Sequence, residues 1–365
     1  MRLRRQARRD AADVSALAAL CRALHAQGQH AEAEQRLRDF LEQSGDSHLE
    51  PLGQLALDLG ADVVAEQCFS RWAAQHPGTA APIGWLGIVY AQRGDAAAAE
   101  RELIRATEIE PELAEPWYRL GSFLLRKREL ALAERHLRRA LEIDPLMARA
   151  HTNLGYLLDL RGERTAALRE FQKAVQLSPH DPEGHFNLGA LHAEARRYDL
   201  AIEQFVEGVA LAPDRVEGHY NLGAAYFELR RYEEAIRAFR RALRLQPAHE
   251  EARYYLGLCY VRKGAYDRAL MHFEPAHRQA PTVSVRLLFA MAQCYNGLEM
   301  PRQAVRLLQQ LVDLVPDHAR AYHLLGICYD KLGERERAGD AYRRSDLHLT
   351  LARGRRAAGR VEGRP

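Results

Sequence analysis

The chain has 365 residues, 47% hydrophobic and 28% charged, with 52 Lys and Arg against 49 Asp and Glu. That apolar content excludes a disordered chain, and no apolar run reaches the roughly 18–20 residues that a membrane-spanning helix needs. Five scattered cysteines (Cys21, Cys68, Cys259, Cys294 and Cys328), with no CxxC pair, exclude a disulfide framework and read as reduced thiols in a cytoplasmic setting.

Residues 1–13 form a basic N-terminal segment, with Arg2, Arg4, Arg5, Arg8 and Arg9 in its first ten residues. The mildly apolar stretch that follows, Val14 to Ala26, is interrupted by Arg22 and reads as a first helix rather than an export signal. A pattern then begins weakly with Leu20, Leu24, Gly28, Ala33 and Leu37. It strengthens through Leu52, Gly53, Ala65, Phe69 and Pro77, and again through Leu86, Gly87, Tyr90, Ala99, Leu103, Ala106 and Pro111. From Ala114 it is plain: Trp117, Leu120, Gly121, Leu124, Ala133, Leu137, Ala140, Pro145. A shift of 34 residues gives His151, Leu154, Gly155, Leu158, Ala167, Phe171, Ala174, Pro179. Two more shifts give His185, Leu188, Gly189, Ala201, Phe205, Gly208, Pro213, and then His219, Leu222, Gly223, Tyr226, Ala235, Phe239, Ala242, Pro247. Leu256, Gly257, Tyr260, Ala269, Phe273, Ala276 and Pro281 continue it. After a one-residue insertion come Tyr295, Ala304, Leu308 and Pro316, and a last unit holds Leu325, Gly326, Tyr329, Ala338 and Tyr342.

This pattern resembles the tetratricopeptide repeat, with its W-x2-L-G-x2-Y, A-x3-F-x2-A and terminal Pro, over nearly the whole chain. The expected fold is all-α: an α-solenoid of about ten helical hairpins, which the resemblance implies is wound into a right-handed superhelix. The units fall near 14–45, 46–79, 80–113, 114–147, 148–181, 182–215, 216–249, 250–283, 285–318 and 319–350, with 351–365 left as an Arg-rich flexible tail. In each first helix the Leu, Gly and Tyr/Leu positions share one face, and Gly opposite a small Ala lets two helices approach closely. Gly60, Gly94, Gly162, Gly264 and Gly333, with Gly28 close to the same position, are expected to end first helices in a left-handed turn. The inter-repeat prolines stop second helices, and Pro275 is expected to kink the one that contains it.

Catalytic and metal chemistry find little support. No P-loop, GxGxxG after a strand, HExxH or GxSxG occurs, so no enzyme activity is expected. His151, His185 and His219 share one repeat position. Repeats stack at about 8–10 Å while imidazole–zinc bonds are about 2.0–2.1 Å, so these histidines are read as filling the slot of Trp117 and no metal or cofactor is expected. Cys259, Cys294 and Cys328 likewise read as small buried hydrophobes. Glu233, Glu234, Glu250 and Glu251 are solvated charges at helix starts.

The remaining first-helix positions form the opposite stripe, which in tetratricopeptide folds lines the concave groove. It reads Arg149, Thr152, Asn153, Tyr156, Asp159; then Glu183, Phe186, Asn187, Ala190, Ala193, Glu194; then Glu217, Tyr220, Asn221, Ala224, Phe227, Glu228; then Glu251, Tyr254, Tyr255, Leu258, Val261, Arg262. Asn153, Asn187 and Asn221 occupy one position, and an amide offers both donor and acceptor to the backbone of an extended peptide. This is similar to the asparagine ladder of O-GlcNAc transferase repeats, although that family's glycosyltransferase domain has no counterpart in these residues. Tyr156, Phe186, Tyr220, Phe227, Tyr254 and Tyr255 are expected to supply side-chain pockets, with Arg262, Glu194 and Glu228 as polar contacts. The glutamates favour a neutral or basic peptide. The Lys and Asn set with which chaperone-binding repeats clamp a terminal carboxylate is missing: Tyr118 and Ser122, Thr152 and Tyr156, or Tyr220 and Ala224 stand there. The expected function is a scaffold or adaptor whose groove binds an extended segment of a protein partner. The alternatives are an accessory subunit of a separately encoded enzyme or assembly complex, or docking of the Arg-rich ends on nucleic acid or membrane. Those ends lack the interleaved aromatics of nucleic-acid binders, which disfavours such contact.

Overall fold

In the computed structural model the backbone is described for residues 2–279 and 284–362, and the side chains for residues 14–278 and 284–351. All the described regular structure is helical. It divides into two units, Met1–Pro179 and His180–Pro365, each of five hairpins. The first unit holds α1 (Arg2–Ala26) with α2 (His30–Ser44), α3 (Leu49–Asp58) with α4 (Asp62–Gln75), and α5 (Ala80–Gln92) with α6 (Ala96–Ile109). Its last two pairs are α7 (Ala114–Arg126) with α8 (Leu130–Ile143), and α9 (Ala148–Leu160) with α10 (Arg164–Leu177). The second unit holds α11 (Pro182–Glu194) with α12 (Tyr198–Leu211), α13 (Val216–Glu228) with α14 (Tyr232–Leu245), and α15 (Glu250–Arg262) with α16 (Tyr266–Gln279). It ends with α17 (Val285–Gly297) paired to α18 (Pro301–Leu314), and α19 (Ala319–Lys331) paired to α20 (Arg335–Glu362). No described helix is long and apolar enough to cross a membrane.

Two helices run beyond the repeat boundaries read from sequence. α1 begins at Arg2 within the basic segment, and α20 continues past residue 350 to Glu362, through most of the stretch read as a tail. The arginine side chains of both ends lie outside the described residues, and so does Pro281. α16 extends across Pro275 as one helix.

Except in the first and ninth, each hairpin is joined where a first-helix glycine meets a large second-helix side chain. A Cβ on Gly189 would stand 2.7 Å from two ring carbons of Phe205, and one on Gly223 would stand 2.8 Å from two of Phe239. Gly53, Gly155 and Gly257 face Phe69, Phe171 and Phe273 in the same way, and all five phenylalanines are almost wholly buried. Burying each ring contributes roughly 1.5–3 kcal/mol. In the ninth hairpin Ala292 stands where glycine stands elsewhere, opposite the smaller Leu308.

The first helices close in a left-handed residue: φ is +78° at Gly162 and lies between +72° and +82° at Gly28, Gly60, Gly94, Gly264 and Gly333. The same position carries a side chain in four hairpins, Arg128, Arg196, Arg230 and Glu299, with φ between +57° and +64°. The hydrogen bonds explain why. Arg196 N–H donates to Ala193 O and Arg197 N–H to His192 O, the paired bonds that terminate a helix through one left-handed residue, whatever its side chain.

Candidate functional site

The slot shared by Trp117 and the histidines is structural. Trp117 Nε1 donates to Pro111 O at 2.8 Å; His151 Nε2 lies 3.0 Å from Pro145 O and His219 Nε2 2.8 Å from Pro213 O, while Arg253 donates to Pro247 O. These four first helices thus tie themselves to the turn that precedes them, six residues back. His151 Nδ1 lies 2.6 Å from Glu170 Oε2, and His185 Nδ1 lies 3.0 Å from Gln204 Oε1. The bond to His151 holds the Glu170 carboxyl below its ordinary range. These ring nitrogens serve neighbouring helices, and no group of three or more potential metal ligands is gathered among the described residues. All five cysteines are free and buried, and burial pushes the Cys68, Cys259 and Cys294 thiols up to about 12.

On the opposite stripe the residues divide by environment. In the first unit a cavity of about 500 Å³ is lined by Tyr118, Ser122, Arg126, Arg128, Asn153 and Tyr156. Asn153 Nδ2 donates to Ser122 Oγ at 2.7 Å, and Tyr156 is 41% exposed. Thr152 is buried. In the second unit Asn221, Glu194 and Glu228 come together around Ala190, Ala193 and Ala224 in a smaller cavity of about 250 Å³. Asn187 and Asn221 are half-buried, and their amides have no hydrogen-bond partner among the described residues.

Phe186 lies in the core rather than in the open groove. It is 6% exposed, and its ring occupies the space where a Cβ on Gly208 or Gly218 would lie. Two small residues on neighbouring helices draw it inward, and the Arg215 guanidinium covers the ring at 4.7 Å. Tyr220, Phe227 and Tyr255 are half-buried and pack on one another. Tyr255 is 5.5 Å from Phe227 and 5.8 Å from the core ring of Phe239, and Tyr220 is 6.0 Å from Phe239. These three rings form one aromatic cluster against the core ring of Phe239. Burial, reinforced by Tyr255 and Glu251, pushes the Tyr220 phenol up to about 12. The stripe is also less acidic than its sequence: Glu183 pairs with Arg215, and Glu251 with Arg286, which covers the Tyr254 ring at 5.1 Å.

Tyr254 and Arg262 belong to the roomiest of these spaces, about 740 Å³ in the second unit, together with Phe289, Gln293, Arg320 and His323. The stripe rule, continued into the last two hairpins, reaches these additional residues: Phe289 and His323 stand where Tyr220 and Tyr254 stand two units earlier. Ser345 and Leu349, also on the wall, come from α20 and follow from no repeat position.

Family models and solved structures agree with this architecture. A tetratricopeptide-repeat model matches residues 86–148, 118–182, 152–216 and 290–348, a second tetratricopeptide-repeat model matches 216–249, and a model of anaphase-promoting complex subunit 3 matches 238–311. No curated protein matches the chain. Among solved structures, the anaphase-promoting complex hetero-tetramer Cut9–Hcn1 is similar, with 19% identity, covering 83% of this chain and 59% of that one, TM-score 0.52. YrrB, described as a TPR protein with an unusual peptide-binding site, shares 24% identity, covering 51% of this chain and 96% of its own, TM-score 0.48. PilF of Pseudomonas aeruginosa shares 24%, covering 56% of this chain and 92% of its own, TM-score 0.48. With helical hairpins in both units and the first repeat model matching over half of its residues, the chain belongs to the tetratricopeptide-repeat family.

Proposed function

We propose that this protein is an interaction scaffold whose first-helix stripe receives an extended segment of a partner protein. Repeats of this family mediate protein–protein interactions, and one observation carries the finer reading: residues of this stripe line open cavities in both units. Amides at Asn187 and Asn221, with hydrogen-bonding capacity unspent among the described residues, supply a means of holding a peptide backbone without reading its side chains. Half-buried rings at Tyr220, Tyr254 and Tyr255 are of the kind that anchor interfaces, because they offer large contact area at small entropic cost.

The test is affinity capture from native lysate with the wild-type chain and with a variant carrying Asn153→Ala, Asn187→Ala and Asn221→Ala. Alanine favours helix over asparagine, so helicity should be retained. Proteins held by the wild type and lost from the variant are the expected outcome. Equal capture by both would refute the groove as the binding surface.

A further inference from the structure

The cavity of about 740 Å³ in the second unit falls within the range of ligand sites, roughly 300–1,000 Å³. Its lining joins two chemistries. Tyr254, Phe289, Leu324 and Leu349 make an apolar wall, while Arg262, Arg320 and His323 reach it from α15 and α19. No carboxylate lines it. Arg262 and Arg320 are exposed and form no ion pair among the described residues, unlike Arg215 and Arg286 on the same face, which Glu183 and Glu251 neutralise. Ser345 on the α20 wall is 1% exposed, and its Oγ has no hydrogen-bond partner among the described residues. A buried hydroxyl left unpaired in a folded chain calls for an explanation, and a ligand that completes the site supplies one.

From this charge complementarity we propose that the cavity selects an acidic and apolar segment of the partner protein. Side-chain carboxylates of the segment meet the guanidinium forks of Arg262 and Arg320, and a large apolar side chain beside them packs on Tyr254, Phe289 and Leu324. The inference rests on the groove reading and reverses the preference for a neutral or basic peptide that the glutamates suggest in sequence. Those glutamates act elsewhere: Glu194 and Glu228 border the small cavity between α11 and α13, floored by alanines. Within the second unit the surface therefore changes sign, and the segment is expected to be neutral or basic over Glu194 and Glu228 and acidic over Arg262 and Arg320. The cavity of the first unit has related chemistry, Arg126 and Arg128 beside Tyr118 and Tyr156.

The experiment is selection of a phage-displayed random dodecapeptide library on the immobilised full chain. Enriched peptides are then titrated by fluorescence anisotropy against the wild type, Arg262→Glu/Arg320→Glu and Asn187→Ala/Asn221→Ala. Both arginines are exposed and form no ion pair among the described residues, so the charge-reversed chain should fold, which far-UV circular dichroism checks, and Arg262→Gln/Arg320→Gln provides a milder variant. The expected result is enrichment of Asp and Glu next to aromatic or aliphatic residues, affinity falling about ten-fold or more on charge reversal, and weakening as salt rises. Peptides without acidic enrichment that lose affinity only for the asparagine variant overturn the charge assignment and leave the groove reading intact. Peptides indifferent to both variants, or no enrichment at all, overturn both.

Discussion

The close approach of the two helices in most hairpins depends on a glycine, and Gly189→Ala tests how firmly. The new Cβ would lie 2.7 Å from two ring carbons of Phe205, which is 1% exposed. Overpacking of this kind costs about 1–3 kcal/mol. Alanine in place of a mid-helix glycine returns about 1 kcal/mol, so the net change is a loss of up to about 2 kcal/mol. Gly339→Ala on α20 is the matched control: its Cβ would meet nothing closer than the flexible end of Arg343 at 3.5 Å, so the same substitution should stabilise by about 1 kcal/mol. Because repeat arrays lose all-or-none behaviour, the assay is native-state hydrogen exchange of α11 and α12 for the first variant and of α19 and the start of α20 for the second. Adding Phe205→Leu to Gly189→Ala recreates the Ala292–Leu308 pair of the ninth hairpin. The double variant should then be about 1–2 kcal/mol more stable than the two single effects added together. Equal protection in Gly189→Ala and Gly339→Ala, or strict additivity in the double variant, would refute the argument that contact with the ring, rather than helix propensity, keeps glycine there.

Three further outcomes are expected. Arg196→Gly and Arg230→Gly, at φ of +58° and +59°, should each stabilise the chain by about 0.5–1 kcal/mol by relieving a left-handed side-chain residue, read as raised midpoints in thermal denaturation. The Glu170 carboxyl is held below its ordinary range chiefly by His151, so its contribution to stability is present above the unfolded carboxylate pKa of about 4.3 and is lost as pH falls through the lower folded value. Glu170→Gln should therefore flatten the fall in stability below about pH 4, measured by urea denaturation at successive pH values. Cys68, Cys259 and Cys294, buried with thiols pushed up to about 12, should resist iodoacetamide at pH 8 in the native chain and react when urea opens the hairpins; rapid native labelling would contradict their burial.

Much of the candidate site was legible from position alone. The stripe rule that selects Asn153, Asn187 and Asn221 also reaches Phe289, Arg320 and His323 once it is carried into the last two hairpins. It fails at Phe186, because a position on the open face says nothing about the vacancy left by Gly208 and Gly218 on the neighbouring helices. The count of charges misleads for a similar reason: Glu183 and Glu251 belong to ion pairs whose arginines stand 32 and 35 residues away.

The fold follows from local periodicity. Apolar residues three, four and seven apart, a glycine facing each Ala-x3-Phe, and a recurring proline repeat at a period that only a stack of helical hairpins accommodates, since one hairpin alone cannot bury its apolar face. Even the left-handed hairpin turn is visible wherever glycine marks it. What the tertiary structure decides is how side chains a repeat apart meet. It takes Phe186 into the core, gathers Tyr220, Phe227 and Tyr255 into one cluster, ties the Trp117 and His151 slot to a carbonyl six residues back, and sets Ser345 and Leu349 of α20 beside Arg262 and Arg320. The period encodes which face each residue occupies; what fills that face depends on the sizes and charges of residues brought alongside only when the hairpins stack.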